Sequence, residues 1–494
     1  MNAPTAAQPT QGTHPLTFEN LVDGRWRPAG DGRLVDVVCP SDGQVFARIA
    51  RGTAADVDDA VAAARRAFDE GPWSRTTATE RGRLMARLAQ RIADHAEELA
   101  QLEARDTGKP MKQARADLVA AARYFEFYGA AADKVHGDVI PFLEGYLVTV
   151  LREPKGVTGH IIPWNYPAQM FGRTLAPALA MGNCVVLKPA EDACLTPVRL
   201  AALAQEAGFP DGVINVVTGL GEEAGAALSA HPGIDFLSFT GSPEVGTLVQ
   251  MAAARNHIGC TLELGGKSPQ IVFDDADFDA AVPVVVSAIV QNGGQTCSAG
   301  SRVLVQRSVY DAFMARVAER FAQLRVGSHE MDLDCGPLIS AGQKRRVEGF
   351  VQRAEAEGVP VLARATVAAG TPAGGFYVTP TLFGPVPRTS ALACDEVFGP
   401  VLSAIPFEDE ADAVKLANGT EFGLVAGIWT RDGSRQMRVA RAMRCGQVFV
   451  NGYGAGGGIE LPFGGVKKSG HGREKGLEAL REFAHTKTVV FRHQ

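Results

Sequence analysis

Four apolar runs in the first half of the chain, each followed by a helical pattern, constrain the fold more than any other feature. The runs cover residues 155–162, 183–187, 213–217 and 236–239, and the helical patterns begin near Pro167, Thr196, Gly221 and Ser242. Strand–helix units repeated at this spacing predict an α/β fold with a parallel sheet and helices on both of its faces. Such a sheet binds ligands beyond the carboxyl ends of its strands, so we expect a site there.

Two further regions extend this core. A second α/β pattern begins near Ser268 and continues to about residue 450. Residues 140–152 are β-like again and long enough for a hairpin arm, and the chain ends in the strand-like segment KTVVFRH. A single core stops growing near about 250–300 residues, so a chain of 494 residues is expected to form more than one domain. A terminal strand also offers an edge for pairing with another subunit, which indicates an oligomer.

Composition and charge exclude several classes of protein. The 49 Lys and Arg residues against 55 Asp and Glu residues give a net charge of −6, which offers no support for a nucleic-acid or membrane-surface partner. The 8 cysteines include no CxxC pair, which argues against zinc sites and disulfide scaffolds and favours a reducing cytosol. The most apolar stretch, residues 280–290, is far shorter than the ~20 residues of a membrane span. We therefore predict a cytoplasmic protein without metal, nucleic-acid or membrane partners.

Cys297 differs from the other cysteines in its neighbours. It lies in the segment NGGQTCSAG, residues 292–300, where small, polar and glycine residues predict a loop with accessible backbone amides. A loop of this kind suits a thiolate nucleophile and an oxyanion site. The alternative is a buried space-filling cysteine, which is the usual place of a single cysteine.

Two polar residues near apolar strands are further candidates. Glu263 ends an apolar strand just before a glycine turn, where partial burial raises the pKa of a carboxyl group and allows it to act as a base. Asn165 lies between Pro163 and Pro167, and an amide held by such a restricted backbone can donate to an oxyanion. A structural carboxylate and a helix cap are the respective alternatives.

Two glycine-containing turns join predicted strands to predicted helices. The first, GLGEEAG at residues 219–225, has GxGxxxG spacing and so departs from the dinucleotide fingerprint. We interpret it as a strand-to-helix turn that touches the adenine end of a cofactor. The second, FTGSPEVG at residues 239–246, places Ser242 where a hydroxyl can donate to a phosphate at a helix N-terminus. A serine N-cap followed by proline is the alternative.

Seven segments in one order resemble the NAD(P)-dependent aldehyde dehydrogenase superfamily over about residues 18–490. They are PWNYP, LKPAE, FTGSPEVG, LELGGKSP, GQTCSAGSR, EVFGPV and PFGGVKKSGHGRE. The resemblance implies that Cys297 attacks the aldehyde carbon and that Asn165, with the backbone N–H of Cys297, holds the oxyanion. Hydride transfer to the nicotinamide would then leave a thioester. Glu263 matches the base that activates water to release the acid, and Glu474 resembles a secondary acid that relays protons in some members.

The resemblance also implies NAD as the cofactor. Lys188 and Glu191 match positions that bind the adenosine ribose, where a carboxylate would repel a 2′-phosphate and so favours NAD over NADP. Ser242 and the helix start around it match the pyrophosphate site, and Glu396 and Phe398 match the nicotinamide end. The cofactor-binding candidates are Ile161, Trp164, Lys188, Glu191, Gly221, Gly225, Thr240, Gly241, Ser242, Val245, Gly246, Leu264, Glu396 and Phe398.

Substrate choice depends on the helix after Asn165. Met170 and Arg173 lie on adjacent turns of one helix face, which the resemblance places beside the substrate tunnel. Semialdehyde-oxidising members resemble this chain in having arginine at the Arg173 position, where it can pair with a substrate carboxylate. We therefore hypothesise a preference for acidic semialdehydes, with an Arg173 satisfied by a neighbouring acid as the alternative. Ser298 and Ala299, in place of a second cysteine, argue against succinic semialdehyde itself.

We expect a three-part architecture of a doubly wound NAD-binding domain, an α/β catalytic domain and a small β oligomerisation arm that makes a homodimer or homotetramer. The expected ranges are 17–135 and 155–263 for the NAD-binding domain, 264–460 for the catalytic domain, 136–154 and 484–494 for the arm, and 461–483 for a loop and helix that return to the NAD-binding domain. An NADP-preferring enzyme, a CoA-acylating enzyme and a non-catalytic protein that keeps the fold are the alternatives.

Overall fold

A computed structural model of the chain describes residues 15–454 and 458–493, and it confirms the predicted α/β fold. Two large sheets, both mainly parallel, form its centre. Their helices and those around them are Ala54–Asp69, Ala78–Asp94, Ala96–Thr107, Met111–Ala131, Pro167–Ala180, Leu195–Ala207, Ala226–Ala230, Pro243–Arg255, Phe278–Val290, Tyr310–Ala322, Ala341–Ala356, Ala391–Cys394, Glu410–Ala417, Gly433–Ala442 and Glu478–Glu482.

The first sheet contains the four predicted runs as parallel strands and adds a fifth beside them. Its strands, in spatial order, are Gly470–His471, Gly259–Glu263, Phe236–Thr240, Val157–Ile162, Cys184–Pro189, Ile214–Val216, Asn20–Val22 and Arg25–Arg27. Val157–Ile162 comes first along the chain among the parallel strands, and the later strands are added on one side of it and then on the other. A crevice is expected where the order reverses, beyond the carboxyl ends of Val157–Ile162 and Phe236–Thr240.

The second sheet begins at Pro269, a few residues after the strand Gly259–Glu263 of the first sheet. Its strands, in spatial order, are Val361–Arg364, Thr381–Phe383, Val401–Phe407, Arg302–Gln306, Pro269–Val272, Val425–Trp429 and Gln447–Val450. Only the edge strand Val361–Arg364 is antiparallel to its neighbour within this described sheet. Cys297 precedes Arg302–Gln306 and Glu396 precedes Val401–Phe407, so both residues lie toward the amino ends of strands.

Three smaller groups of strands complete the fold. The segments predicted to form an arm make an antiparallel sheet of Asp138–Ile140, Tyr146–Pro154 and Ala484–Arg492, in which Ala484 lies opposite Pro154 and Arg492 opposite Tyr146. The residue at the end of the predicted arm, Gln494, lies outside the described residues. The other strands are Leu16–Phe18, Leu34–Val38 and Val45–Ala50 in one sheet, and Arg325–Val326 with Thr366–Val367 in another.

Two searches of the described residues bear on the wider function classes. No helix within residues 15–454 and 458–493 combines the length and the apolar character needed to cross a membrane. The same residues contain no group of three or more His, Cys, Asp and Glu side chains arranged to hold a metal ion. The domain ranges given above stay a prediction.

Candidate active site

Loops from the two sheets meet at the crevice beyond the first sheet. Asn165 follows the first parallel strand, and its Nδ2 donates to the carbonyl oxygen of Gln295 in the Cys297 loop at 2.9 Å. The rings of Trp164 and Phe398 meet edge to face, with their centroids 5.5 Å apart. The sequence predicted these residues from separate motifs, and the structure brings them to one place.

Left-handed backbone shapes the loop that carries Cys297. Asn292, Gly293 and Gly294 have φ angles of 50°, 63° and 71°, a run that asparagine and glycine adopt more readily than other residues. A Cβ atom at position 294 would lie 2.2 Å from the carbonyl oxygen of Gly399, so the loop can approach that segment only with glycine there. The Asn-Gly-Gly sequence is therefore required by the path of the loop.

Cys297 is half-buried in this loop. Burial raises the pKa of its thiol to about 11, and Arg173 opposes the rise, whereas Glu263 and Glu396 add to it. The thiol is therefore protonated near neutral pH, and its ionisation requires a base or a cation beside it. The apolar side chains packed in the same cluster are Leu424, Val425, Phe449, Tyr453 and Phe463.

Glu263 ends the strand Gly259–Glu263, where only 2% of its surface is exposed. Burial raises the pKa of its carboxyl group to about 8, and Arg173 is the strongest of the neighbours that lower it. Gly464 approaches so closely that a Cβ atom there would lie 2.8 Å from Oε1 of Glu263. Neither carboxylate oxygen of Glu263 forms a hydrogen bond with a described residue. The group is thus a base near neutral pH that no hydrogen bond fixes.

Arg173, Glu263 and Glu474 form a buried group that we call the arginine cluster. Nη2 of Arg173 lies 3.3 Å from Oε2 of Glu263, and its Nε pairs with Oε2 of Glu474. Nη1 of Arg173 contacts Sδ of the buried Met170 at 3.9 Å, and Ser238 Oγ donates to Oε1 of Glu474 at 3.3 Å. The predicted pairing of Arg173 with a substrate carboxylate gains no support, because Arg173 already pairs with two acidic side chains of the protein.

A second buried group of charged side chains contacts the backbone of the Asn165 loop. It consists of Lys109, Glu103 and Asp117, and we call it the lysine cluster. Nζ of Lys109 donates to Oε1 of Glu103 at 3.1 Å and to Oδ2 of Asp117 at 2.5 Å. Its third bond goes to the carbonyl oxygen of Asn165 at 3.1 Å, which also accepts from Nδ2 of Asn292 at 2.9 Å. Burial lowers the pKa of Lys109, but Asp117 and Glu103 outweigh it and hold the pKa above its ordinary value.

Sequence reasoning missed the lysine cluster entirely. Its members lie in and around the helices Ala96–Thr107 and Met111–Ala131, well before the Asn165 motif, and no spacing connects them to it. The break Gly108-Lys109-Pro110 between those helices was the one available signal. It marks the end of a helix but says nothing about what the lysine contacts.

The residues assigned to the adenosine end of a cofactor lie together at the carboxyl end of Cys184–Pro189. Nζ of Lys188 is 2.5 Å from Oε2 of Glu191, and the N–H of Gly221 donates to Oε1 of Glu191 at 3.1 Å. A Cβ atom at Gly225 would lie 3.9 Å from Cδ of Lys188, so the turn packs on the lysine stem. Burial raises the pKa of Glu191, but Lys188 and the hydrogen bonds outweigh it and lower the pKa. Glu191 is therefore a carboxylate at neutral pH.

The second turn carries polar groups at a helix N-terminus. Oγ of Ser242 accepts from the N–H of Val245 at 3.3 Å, so it caps the helix Pro243–Arg255, which is the alternative named for it above. Oγ1 of Thr240 is buried and forms no hydrogen bond with the described residues. A buried hydroxyl without a partner, next to the N–H groups of a helix start, suits a phosphate-containing ligand. The residues therefore fit a dinucleotide at this edge of the sheet.

The remaining cofactor candidates make contacts in both sheets and in the loops between them. Oε1 of Glu396 accepts from the N–H of Gly266 at 2.8 Å, and burial raises the pKa of Glu396 to about 7. Phe398 has a left-handed backbone with a φ of 57°. Ile161 pairs in register with Lys188 on one side and with Phe239 on the other. The N–H of Gly241 donates to the carbonyl oxygen of Glu263, and Leu264 packs over Gly246.

Comparisons with known proteins agree on one family. The family model described as the Aldehyde dehydrogenase family matches residues 26–489. A putative aldehyde dehydrogenase structure from Burkholderia cenocepacia is 61% identical, covers 96% of this chain and 100% of its own, and superposes with a TM-score of 0.95.

Two relatives extend this agreement across distant organisms. Retinal dehydrogenase 2 of Homo sapiens is 42% identical over 95% of this chain and 91% of its own length. Betaine aldehyde dehydrogenase of Staphylococcus aureus, solved in complex with NAD+, is 36% identical with a TM-score of 0.94, over 97% of this chain and 95% of its own. The Cys297 loop, the Asn165 loop and Glu263 thus lie in a fold shared over nearly the whole chain, and the chain belongs to the aldehyde dehydrogenase family.

Proposed function

We propose that this chain oxidises an aldehyde to a carboxylic acid, with NAD as the oxidant and Cys297 as the nucleophile. The observation that carries the proposal is the meeting of three groups at one crevice. The Asn165 amide donates into the Cys297 loop, and the Glu263 carboxylate ends the neighbouring strand with its pKa raised to about 8. A nucleophile, an oxyanion donor and a base are what acyl transfer through a thioester requires.

The first half-reaction makes the acyl enzyme. The Cys297 thiol gives up its proton to solvent, and the charge of Arg173 favours the resulting thiolate. The thiolate forms a bond to the aldehyde carbon, and the carbonyl oxygen becomes an oxyanion. Nδ2 of Asn165 and the backbone N–H of Cys297 supply donors for that oxygen, and the buried surroundings strengthen their effect. NAD, when bound, accepts the hydride that leaves the aldehyde carbon, and the thioester remains on Cys297.

The second half-reaction releases the acid. Glu263 removes a proton from water as the water oxygen forms a bond to the thioester carbon. The carbon–sulfur bond then breaks, the thiolate returns to Cys297, and the carboxylic acid leaves. A base whose pKa lies near the working pH is effective in this step because an appreciable fraction is ionised and the carboxylate takes up a proton readily. The absence of a hydrogen bond on either Glu263 oxygen among the described residues leaves both free to accept from water.

The cofactor proposal rests on the adenosine end of the crevice. Lys188 and Glu191 would bind the ribose, and the buried Thr240 hydroxyl with the helix start at Ser242 would face the phosphates. An ionised Glu191 disfavours a 2′-phosphate through like-charge repulsion, so we propose a preference for NAD over NADP. The preference is tested by comparing kcat/KM for the two cofactors in wild type and in Glu191→Ser, in which the preference should weaken.

For the substrate, the surroundings of Cys297 support an uncharged aldehyde. Its neighbours in the cleft are apolar, and Phe463 among them also lies under the guanidinium of Arg173, 4.4 Å from Cζ to the ring centroid. The acidic-semialdehyde hypothesis would need an arginine with charge to spare, whereas Arg173 has two carboxylate partners. The two relatives named above for retinal and betaine aldehyde are similarly related to this chain, so overall likeness does not choose the aldehyde.

Two further proposals concern assembly and location. We propose that the arm joins copies of this chain into a dimer or tetramer, because it exposes large apolar side chains that a partner would cover. Light scattering on wild type and on Leu147→Glu tests this, with a smaller species expected for the variant. A cytoplasmic location rests on composition alone and is tested by cell fractionation. The exposed apolar residues of the arm and its hairpin loop are Val139, Ile140, Phe142, Leu143, Leu147, Leu151, Val490 and Phe491.

The experiment that tests the activity measures NADH formation with propanal, benzaldehyde, betaine aldehyde and succinic semialdehyde. Wild type is compared with Cys297→Ala and with the control Cys260→Ala, since Cys260 is also half-buried but lies at the far end of the strand Gly259–Glu263. We expect turnover in wild type and in the control and none in Cys297→Ala. Turnover that survives in Cys297→Ala, or no NADH from wild type with any aldehyde, would overturn the proposal.

A further inference from the structure

We propose that Arg173 is a positioning residue that holds Glu263 and Glu474 as a pair and sets the proton-accepting state of Glu263. This inference rests on the proposed function, because it assigns the control of the base in that reaction. It replaces the role of substrate recognition that the sequence suggested for Arg173. The one arginine bridges a carboxylate that reacts and a carboxylate that does not.

The geometry makes Arg173 a bridge between the two acids. Its Nη2 faces Oε2 of Glu263 at 3.3 Å, and its Nε faces Oε2 of Glu474. Arg173 is 7% exposed and each of the two acids is 2% exposed, so little solvent screens these charges. The ring of Phe463 covers the guanidinium. The backbone N–H of Phe463 donates to the carbonyl oxygen of Glu474 at 2.6 Å, and the N–H of Glu474 donates to the carbonyl oxygen of Phe463 at 2.7 Å.

The contacts hold Glu263 loosely and Glu474 more firmly. Ser238 Oγ and the paired backbone of Phe463 anchor Glu474, whereas neither oxygen of Glu263 forms a hydrogen bond with the described residues. A loosely held carboxylate beside a fixed cation can turn toward a water molecule and back without breaking a hydrogen bond. Arg173 therefore retains Glu263 at the site and leaves it available to react.

The charges around Glu263 come from three elements. Arg173 belongs to the helix Pro167–Ala180, and the others belong to the Cys297 loop and to the segment after Gly472. Burial raises the pKa of Glu263 and Arg173 lowers it most, while Glu474 raises it further. Removing Arg173 and removing the charge of Glu474 should thus act in opposite directions. The titratable and charged groups that face Glu263 are Arg173, Cys297, Arg473, Glu474 and Lys475.

The test compares pH profiles of three variants with wild type, using propanal and NAD. Arg173→Gln should move the acid-side midpoint of steady-state turnover upward by about one pH unit, which is about tenfold less turnover at pH 7 relative to its own plateau. Glu474→Gln should move the midpoint downward, because it removes a negative charge near Glu263 and leaves Glu263 as the one acidic partner of Arg173 in the cluster. Arg173→Lys keeps the charge and should restore a midpoint close to that of wild type.

A purely structural role would lower activity at every pH and leave the midpoint in place. An unshifted midpoint in Arg173→Gln, or shifts of the same sign in Arg173→Gln and Glu474→Gln, would overturn the inference. If Arg173→Gln does not fold, Glu474→Gln decides alone, and a midpoint that does not fall contradicts the proposal.

Two further readouts separate this inference from its rivals. Arg173→Gln could instead raise KM for succinic semialdehyde while KM for propanal and the midpoint stay unchanged. That result would show that Arg173 recognises the substrate carboxylate, and it would overturn the proposal. Failure of the proposed function is recognised independently, since wild type would then form no NADH with any aldehyde. A normal burst with unchanged midpoints in the variants contradicts this inference alone.

Discussion

The lysine cluster and the arginine cluster are built alike but connected differently. Each places one cation between two carboxylates in a nearly water-free setting beside the helix Pro167–Ala180. Lys109 uses all three of its protons in hydrogen bonds, one of them to the backbone of Asn165. Arg173 faces its carboxylates with no contact of hydrogen-bond geometry.

The difference shows how the same charges serve two purposes. A fully bonded ion pair resists movement, because each displacement leaves a buried polar group without a partner. The lysine cluster therefore holds the loop of Asn165 in one conformation. An ion pair without hydrogen bonds keeps its charges together and allows rotation, which suits a base that must reach water in one step and leave it in the next.

The largest contrast is expected from removing one carboxylate of each cluster. Glu263→Gln should lower steady-state turnover by about 10²–10⁴-fold, because the base is lost, while the first burst of NADH persists. Glu103→Gln is the matched control in the lysine cluster and should keep the ratio of burst to steady state. Stopped-flow absorbance of NADH measures both phases. A lost burst in Glu263→Gln would contradict the assignment of Glu263 to the second half-reaction.

The next contrast is in stability. Lys109→Met leaves Glu103 and Asp117 buried without their cation, and breaking such a pair costs about 3–5 kcal/mol. Arg173→Met should cost less, because no hydrogen bond to a carboxylate is lost and Glu263 takes up a proton readily. Thermal melting of the two variants at pH 7 measures the order. Equal losses of melting temperature would show that the two clusters contribute equally to stability, which contradicts this prediction.

A contrast of about tenfold is expected from pH. Glu263 must be ionised to accept a proton from water, and its pKa is raised to about 8. Hydrolysis of the thioester should therefore slow about fivefold from pH 8 to pH 7 and about tenfold from pH 7 to pH 6. The raised pKa of Lys109 keeps the lysine cluster charged across this range. The rate of acid release after a single burst measures the effect. A rate independent of pH between 6 and 8 would contradict a titrating Glu263.

The smallest contrast concerns the hydroxyl of Tyr166, whose ring lies beside the lysine cluster. Tyr166 lies under Nζ of Lys109, 4.7 Å from the ring centroid, and its OH is 2.8 Å from Oγ1 of Thr296. Tyr166→Phe removes this link to the Cys297 loop and should slow the NADH burst about fivefold, for a loss of about 1 kcal/mol. Tyr377→Phe is the control, because it loses a 2.6 Å hydrogen bond to the carbonyl oxygen of Ser41 outside the Cys297 loop and should leave the burst unchanged. An unchanged burst in Tyr166→Phe would remove the tyrosine from the positioning of the loop.

The elements of the first sheet were predictable because each combines a local apolar run with a local helix start. Thr240, Gly241 and Ser242 were placed correctly at a strand end for the same reason, since three neighbours in sequence fix the turn. The family resemblance supplied what local patterns do not, namely that Cys297, Asn165 and Glu263 act together. Their assigned roles stay predictions until the experiments above are made.

The partners of the buried charges could not be read from the sequence. Arg173 and Glu474 are far apart along the chain and meet because the segment after Gly464 folds back onto the first sheet, with Gly470–His471 pairing beside Gly259–Glu263. An ion pair of this kind depends on tertiary packing, which no spacing encodes. The resemblance could name arginine at that position in other members but could not show that here it faces acids of its own chain.

The burial of the Cys297 thiol has a consequence for the lifetime of the protein. Peroxides and alkylating reagents attack the thiolate far faster than the thiol, and a pKa of about 11 leaves little thiolate at pH 7. The unliganded protein should therefore keep its sulfur reduced during storage, and damage should concentrate in the moments when turnover ionises it. Inactivation by hydrogen peroxide should accordingly accelerate as the pH rises toward 11.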